Sequence, residues 1–99
     1  QHALARTLAA ECMVLLKNED GVLPLSESES VAVIGKFARS PRYQGGGSSH
    51  VNSFRVESLM DALSGNSAVR YAQGYDALDE TPDEALIAEA VEAAPAARP

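Results

Sequence analysis

The chain has 99 residues with eight basic and fourteen acidic side chains, which gives a formal net charge of −6. No stretch approaches the roughly 18 to 20 apolar residues that a membrane-spanning helix needs, and the single cysteine excludes an internal disulfide framework and a cysteine-rich zinc site. Leu, Ile, Val and Phe make up only 22 of the 99 residues, close to the level of about 20% below which disorder is common.

The first predicted element is a helix over residues 2–17, followed by a connector. Apolar side chains recur on one helical face at the spacing of a buried stripe: Leu4, Leu8, Cys12, Leu15 and Leu16. This position predicts that Cys12 is an inert core thiol. Pro24 interrupts the next apolar stretch, so that stretch is expected to be extended but not a central strand. A leading helix and connector are therefore predicted for residues 1–30.

Two strands are predicted after the connector, with a short helix between them. Residues 31–35 are branched and apolar and end in Gly35, as in a strand buried on both faces. A helix over residues 56–63 is ended by Gly65 and Asn66, and a weaker strand follows at residues 68–72. This order predicts a parallel α/β layer with right-handed crossovers.

The last predicted helix begins with a strong capping signal. Thr81 is the expected N-cap, Pro82 occupies the first helical position and Glu84 completes a capping box. The helix is expected to run to about Ala94 and to be stopped by Pro95. Two strands cannot complete such a sheet, so residues 31–99 are expected to be a β-loop-α-β-α unit within an incomplete segment of a larger protein that does not begin at its own Met.

Charge is unevenly distributed along the chain. Seven acidic residues and no basic residue lie between Asp76 and Glu92, and we interpret this run as a solvated helix face. Between Ser30 and Val56 the charged residues are all basic. A nucleic-acid surface would need more basic residues, with stacking aromatics, so no nucleic-acid partner is expected.

A long loop is predicted over residues 36–54, and it contains the Gly-rich segment, residues 45–49. The loop follows the carboxyl end of a parallel strand, where open α/β sheets present ligand sites. The loop offers a guanidinium, an aromatic ring and hydroxyls, and its glycines allow the backbone to approach a ligand closely. These groups suit the binding of a sugar. The candidate substrate-binding residues are Arg42, Tyr43, Gly45, Gly46, Gly47, Ser48 and Ser49. A flexible or domain-interface loop is the alternative.

Other chemistries find little support in the residues. The glycines form neither of the two spacings of nucleotide-binding loops, and His2 and His50 lack the spacing of metal ligands. Ser48, His50 and Asp61 could be drawn as a triad, but there is no nucleophile elbow. No carboxylate is marked as a general acid by its neighbours. We therefore expect no metal, no cofactor and no catalytic residue.

Three stretches in fixed order resemble the start of the α/β sandwich domain of glycoside hydrolase family 3, the β-glucosidase-like enzymes. They are AECMVLLKNEDGVLPL at residues 10–25, VAVIGKFA at 31–38 and YQGGGSSHV at 43–51. The resemblance covers residues 2–72, with compatible helix-rich sequence to Ala94. It implies a three-layer α/β sandwich with a mostly parallel sheet, present as the first part of the family's C-terminal domain.

The resemblance also implies a function for the parent protein. Such enzymes are retaining glycosidases that act on terminal β-linked sugars, with a nucleophilic Asp on a TIM-like barrel and an acid/base Glu further along the sandwich domain than these residues reach. Glu11, Glu19 and Glu57 gain no catalytic role from it. The loop after the first strand would lean over the barrel mouth, and its matching positions are residues 43–49. The expected partners are therefore a β-linked saccharide and the barrel, without a membrane. A non-catalytic sugar-binding or interdomain scaffold module is the alternative.

Overall fold

The computed structural model describes residues 1–94. Three helices and two strands follow one another: α1 (His2–Glu11), β1 (Val31–Ile34), α2 (Leu59–Ala62), β2 (Val69–Ala72) and α3 (Glu84–Ala93). Short 3₁₀ turns occupy Glu19–Gly21, Lys36–Ala38 and Gly47–Ser49. Within the described residues, no helix has the length and apolar character needed to cross a bilayer.

The two strands pair in parallel, as the sequence predicts. Val31 lies opposite Val69 and Ile34 opposite Ala72. The pairing extends one residue beyond β1 at its carboxyl end, where the Gly35 N–H donates to the Ala72 carbonyl at 3.0 Å. Branched side chains favour this extended backbone. The described part of the chain is therefore an α/β arrangement around a two-stranded parallel sheet.

Helix α3 begins two residues later than predicted. Asp83, not Thr81, is the N-cap, because the Asp83 carboxylate accepts hydrogen bonds from the Ala85 and Leu86 N–H groups at 2.9 and 3.2 Å. Thr81 instead donates its backbone N–H to Asp79 at 2.8 Å. An ionised Asp at the positive end of a helix is a stronger cap than Thr. The predicted stop at Pro95 lies outside the described residues.

The other two helices are shorter than predicted. Helix α1 ends at Glu11, six residues before the predicted end, because the continuous apolar run at residues 13–16 is as compatible with extended backbone as with a helix. Helix α2 begins at Leu59, after Ser58 forms a capping box with Asp61. The Ser58 N–H and hydroxyl both donate to the Asp61 carboxylate. These two hydrogen bonds favour the charged form of Asp61 and hold its pKa below the usual range.

Few side chains among residues 1–94 are buried, and the most buried one lies where α3 covers β2. Ala72 is fully buried there, and Gly74, just after β2, lets both β1 and α3 come close. The predicted burial of the α1 stripe is wrong for the described residues, because no other element packs against it. Cys12 is exposed, and Leu4, Leu15 and Leu16 remain 63%, 63% and 92% exposed.

Candidate functional site

The long loop leaves the carboxyl end of β1 through the 3₁₀ turn Lys36–Ala38. Three contacts attach this turn to β2 and the residues after it. Lys36 Nζ lies 2.7 Å from Asp76 Oδ1, and the rings of Phe37 and Tyr75 meet edge-on with centroids 5.9 Å apart. The Arg39 guanidinium lies 4.1 Å from the centroid of the Tyr71 ring, a cation–π distance. The base of the loop is therefore fixed to the sheet.

The ion pair between Lys36 and Asp76 dominates the electrostatics of this base. The Asp76 carboxylate accepts hydrogen bonds from the Lys36 ammonium and from the Leu78 N–H. Both bonds hold the pKa of the Asp76 carboxyl below its usual range. Lys36 and Asp76 belong to the basic and acidic stretches of the sequence, so the two stretches meet here. The acidic run is thus not only a solvated helix face, because its first member links two loops.

A cleft of about 410 Å³ opens between the long loop and the residues that follow β2. Its lining is partly aromatic and partly polar: Phe37, Pro41, Arg42, Tyr43, Gln44, His50, Ala77 and Leu78. Two predicted site residues, Arg42 and Tyr43, lie in this cleft. The Gly-rich segment does not line it. The candidate substrate-binding residues did not include Phe37, Gln44 or His50, because nothing in the local sequence brings these three together.

The Gly-rich segment forms a tight, exposed turn beside the cleft. The Ser49 hydroxyl donates to the Gly46 carbonyl at 3.0 Å, and the His50 N–H donates to the Gly47 carbonyl at 3.0 Å. Gly47 has φ of 69°, a conformation that side chains with a Cβ disfavour. A Cβ on Gly45 would lie 3.0 Å from Ser49 Oγ. The shape of the turn thus favours glycine at positions 45 and 47, whereas Gly46 has φ of −82° and no atom within 4 Å of the position of a Cβ.

Gln44 and Tyr43 hold the two ends of this turn together. Gln44 Nε2 donates to the Val51 carbonyl at 2.9 Å, and Gln44 Oε1 accepts from the Val51 N–H. Just outside this pair, the Tyr43 hydroxyl donates to Ser53 Oγ at 3.0 Å. The sequence carries no signal for the Gln44 contact, because its partner is a backbone that any residue could supply.

The residues drawn as a possible triad do not form one. The Asp61 carboxylate accepts from the Ser58 N–H and hydroxyl at 2.9 and 2.7 Å. It therefore serves the start of α2, and no hydrogen bond described for residues 1–94 joins it to His50 or Ser48. Over the same residues, no three His, Cys, Asp or Glu side chains are grouped to hold a metal ion.

Comparison with known proteins gives one consistent family. The model of the glycosyl hydrolase family 3 C-terminal domain matches residues 13–98. Thermostable beta-glucosidase B from Acetivibrio thermocellus is 48% identical over an alignment of 97 positions that covers 94% of this chain and 13% of that protein. The exo-alpha-(1->6)-L-arabinopyranosidase of Bifidobacterium longum is 42% identical over 92% of this chain and 13% of its own length.

A solved structure resembles the whole described arrangement. The crystal structure of the Bifidobacterium adolescentis GH3 beta-glucosidase matches with a TM-score of 0.80 at 45% identity, over 98% of this chain and 14% of that one. The chain therefore spans about one seventh of the relatives that it matches. At this identity, the backbone just described resembles one that was observed inside a much longer protein.

Proposed function

The chain belongs to glycoside hydrolase family 3, as part of its C-terminal domain, and on this premise we propose that its parent protein is a retaining β-glycosidase. The proposed reaction is the hydrolysis of terminal β-linked sugars, β-glucosides first. The observation that carries the proposal is 48% identity to a beta-glucosidase over 94% of the chain. The relative named for an α-(1→6)-linked L-arabinopyranose makes that glycoside the second candidate substrate.

Within such an enzyme, the long loop is proposed to form one side of the substrate cleft. Arg42 and Tyr43 would contact the sugar or its leaving group from the cleft that they line. The turn from Gly45 to Ser49 would approach from beside it, with the Ser48 and Ser49 hydroxyls as hydrogen-bonding groups. The attachment of the loop base by Lys36 supports this proposal, because a ligand site on a fixed base loses less entropy on binding.

The two catalytic carboxyl groups are proposed to lie outside these 99 residues. A retaining glycosidase needs two carboxyl groups roughly 5 to 5.5 Å apart, one of them a general acid with a raised pKa. The pKa values of the Asp61, Asp76 and Asp79 carboxyls all lie below the usual range, because each carboxylate accepts hydrogen bonds from neighbouring groups. Such carboxylates are poor proton donors near neutral pH, so their surroundings suit structure better than acid catalysis.

The exposed apolar surface supports a place inside a larger assembly. The total solvent-accessible surface of the chain, polar and apolar together, is 8464 Å². A compact monomer of this size exposes a total of about 5,400 Å². We propose that residues 1–30 form the leading helix and connector of a three-layer α/β sandwich, and residues 31–99 its first β-loop-α-β-α unit. The remaining strands of that sandwich, and a TIM-like barrel of the same parent chain, would cover the exposed side chains.

Kinetics of the parent protein and of the isolated chain test this function. The parent should hydrolyse a chromogenic β-D-glucopyranoside or α-L-arabinopyranoside, and the purified 99-residue chain should hydrolyse neither. Turnover by the isolated chain would contradict the proposal that both carboxyl groups lie elsewhere. A parent that binds these glycosides without cleaving them would instead be the sugar-binding module considered as the alternative.

A further inference from the structure

Gln44 makes an unusual pair of contacts at the neck of the Gly-rich segment. Its half-buried side chain lies opposite the backbone of Val51, seven residues further along. The amide donates to the Val51 carbonyl at 2.9 Å and accepts from the Val51 N–H. One side chain thus satisfies both backbone groups of one residue, as a neighbouring strand would, and joins the two ends of the turn.

The bonds between Gln44 and Val51 are the innermost ones that span the neck of this turn. Ser49 to Gly46 and His50 to Gly47 join residues only three apart, inside the tip. One step outside the neck, Ser53 Oγ accepts from the Tyr43 hydroxyl at 3.0 Å and more weakly from Gln44 Nε2 at 3.3 Å. Three consecutive glycines lose much backbone entropy when ordered. A turn of this composition therefore depends on a cross-neck contact to keep one shape.

We propose that Gln44 is the positioning residue of the Gly-rich segment, and that its amide sets where Ser48 and Ser49 stand relative to the substrate. The substrate part of this inference rests on the proposed function. Gln44 acts through the loop backbone: the bonds to Val51 hold the turn closed, and the closed turn presents the serine hydroxyls. Losing these bonds raises the entropy that the substrate must remove on binding.

The test uses the full-length parent with Gln44→Met, which keeps the length of the side chain and removes its amide. Gln73→Met is the matched control. Gln73 lies on another loop, where its side-chain amide donates a hydrogen bond to the Tyr75 carbonyl at 3.1 Å. Ser53→Ala is a comparison variant, because it removes the bonds that Ser53 Oγ accepts from Tyr43 and Gln44 and leaves the Gln44–Val51 pair. Amide exchange over residues 45–51 measures closure of the turn, and KM against kcat measures its effect on substrate.

We expect Gln44→Met to speed exchange of the hydrogen-bonded His50 and Val51 amides by about tenfold, since the bonds of Gln44 to Val51 and Ser53 are lost. KM should rise about three- to tenfold with kcat changed by less than about twofold, as for a lost binding contribution. Exchange in β1 should stay unchanged, which shows that the fold is intact. Gln73→Met should behave as the parent does, and Ser53→Ala should open the turn less than Gln44→Met does.

The outcomes separate this inference from the function on which it rests. Unchanged exchange in Gln44→Met, or equal opening in Ser53→Ala, would overturn the role of Gln44 and leave the substrate role of the loop to its own test. Faster exchange with unchanged KM would show that Gln44 closes the turn but that the turn does not meet the substrate. That result would overturn the positioning role and leave the cleft lined by Arg42 and Tyr43 to its own test.

Discussion

Gly74 occupies the point where β1, β2 and α3 come closest, and its replacement by Ala is the most informative single change in the fold. Its backbone has φ of +75°, and a Cβ there would lie 3.0 Å from Ile34 Cγ2 and 3.8 Å from Ala90 Cβ. Gly65 provides a matched control. It has φ of +87° but no atom within 4 Å of the position that a Cβ would take.

The two substitutions share a backbone cost and differ in a packing cost. A left-handed conformation costs a residue with a Cβ roughly 1 to 2 kcal/mol at either site. Gly74→Ala also forces Ile34 to move, and overpacking of this kind costs about 1 to 3 kcal/mol. Because Ile34 is 48% exposed and has room to turn, we take the lower end, about 1 kcal/mol. The expected totals are about 2 to 3 kcal/mol at Gly74 and about 1 to 2 kcal/mol at Gly65.

Native-state amide exchange in the full-length parent measures this difference locally. The informative amides belong to the strand pair, among them Gly35, whose N–H donates to Ala72. A packing difference of about 1 kcal/mol makes exchange about fivefold faster in Gly74→Ala than in Gly65→Ala. Equal exchange in the two variants would refute the close approach of Ile34 to Gly74.

Two further predictions concern the helix start and the ion pair. Asp83→Ala should destabilise α3 by about 1 kcal/mol because a capping carboxylate is lost, whereas Thr81→Ala should be nearly neutral. Exchange of the α3 amides distinguishes the two variants, and faster exchange in Thr81→Ala than in Asp83→Ala would restore Thr81 as the cap. Because Lys36 lowers the pKa of Asp76, the contribution of Asp76 is complete above the ordinary pKa of about 3.9 and is lost as pH falls through the lowered value. The Tm difference between the parent and Asp76→Asn should therefore be constant from pH 7 to about 5 and shrink below about pH 4; a difference that grows in acid would contradict this sign.

The strand pair was predictable because its signals are local. The branched run at Val31 to Ile34 and the weaker run ending at Ala72 favour strands by themselves, and the helix between them favours parallel pairing. Helix ends were less predictable where two signals compete. Thr81 with Pro82 and Asp83 each fit an N-cap, and only the hydrogen bonds of the folded chain choose Asp83.

Burial and the details of the site depended on partners that a sequence pattern does not name. The stripe containing Leu4 and Leu8 has the spacing of a buried face, yet within residues 1–94 nothing packs on it. The sequence places Arg42 and Tyr43 in a loop after a strand, and the structure has both in the lining of the cleft; their contact with a substrate stays a prediction. The bonds from Gln44 to the Val51 backbone were not predictable, because they depend on how the chain turns between these residues.

The Gly-rich segment is proposed to meet the substrate of a family 3 glycosidase. The double variant Ser48→Ala/Ser49→Ala in the full-length parent tests this contact. Its matched control is Ser26→Ala/Ser28→Ala, two exposed serines of the connector that contact each other at 3.2 Å. With one or two hydrogen bonds to the substrate lost, we expect KM for a series of β-glucosides to rise about three- to tenfold, or the aglycone preference to change, while the control keeps the kinetics of the parent. Unchanged KM and aglycone preference in Ser48→Ala/Ser49→Ala would contradict the account and leave this loop a scaffold.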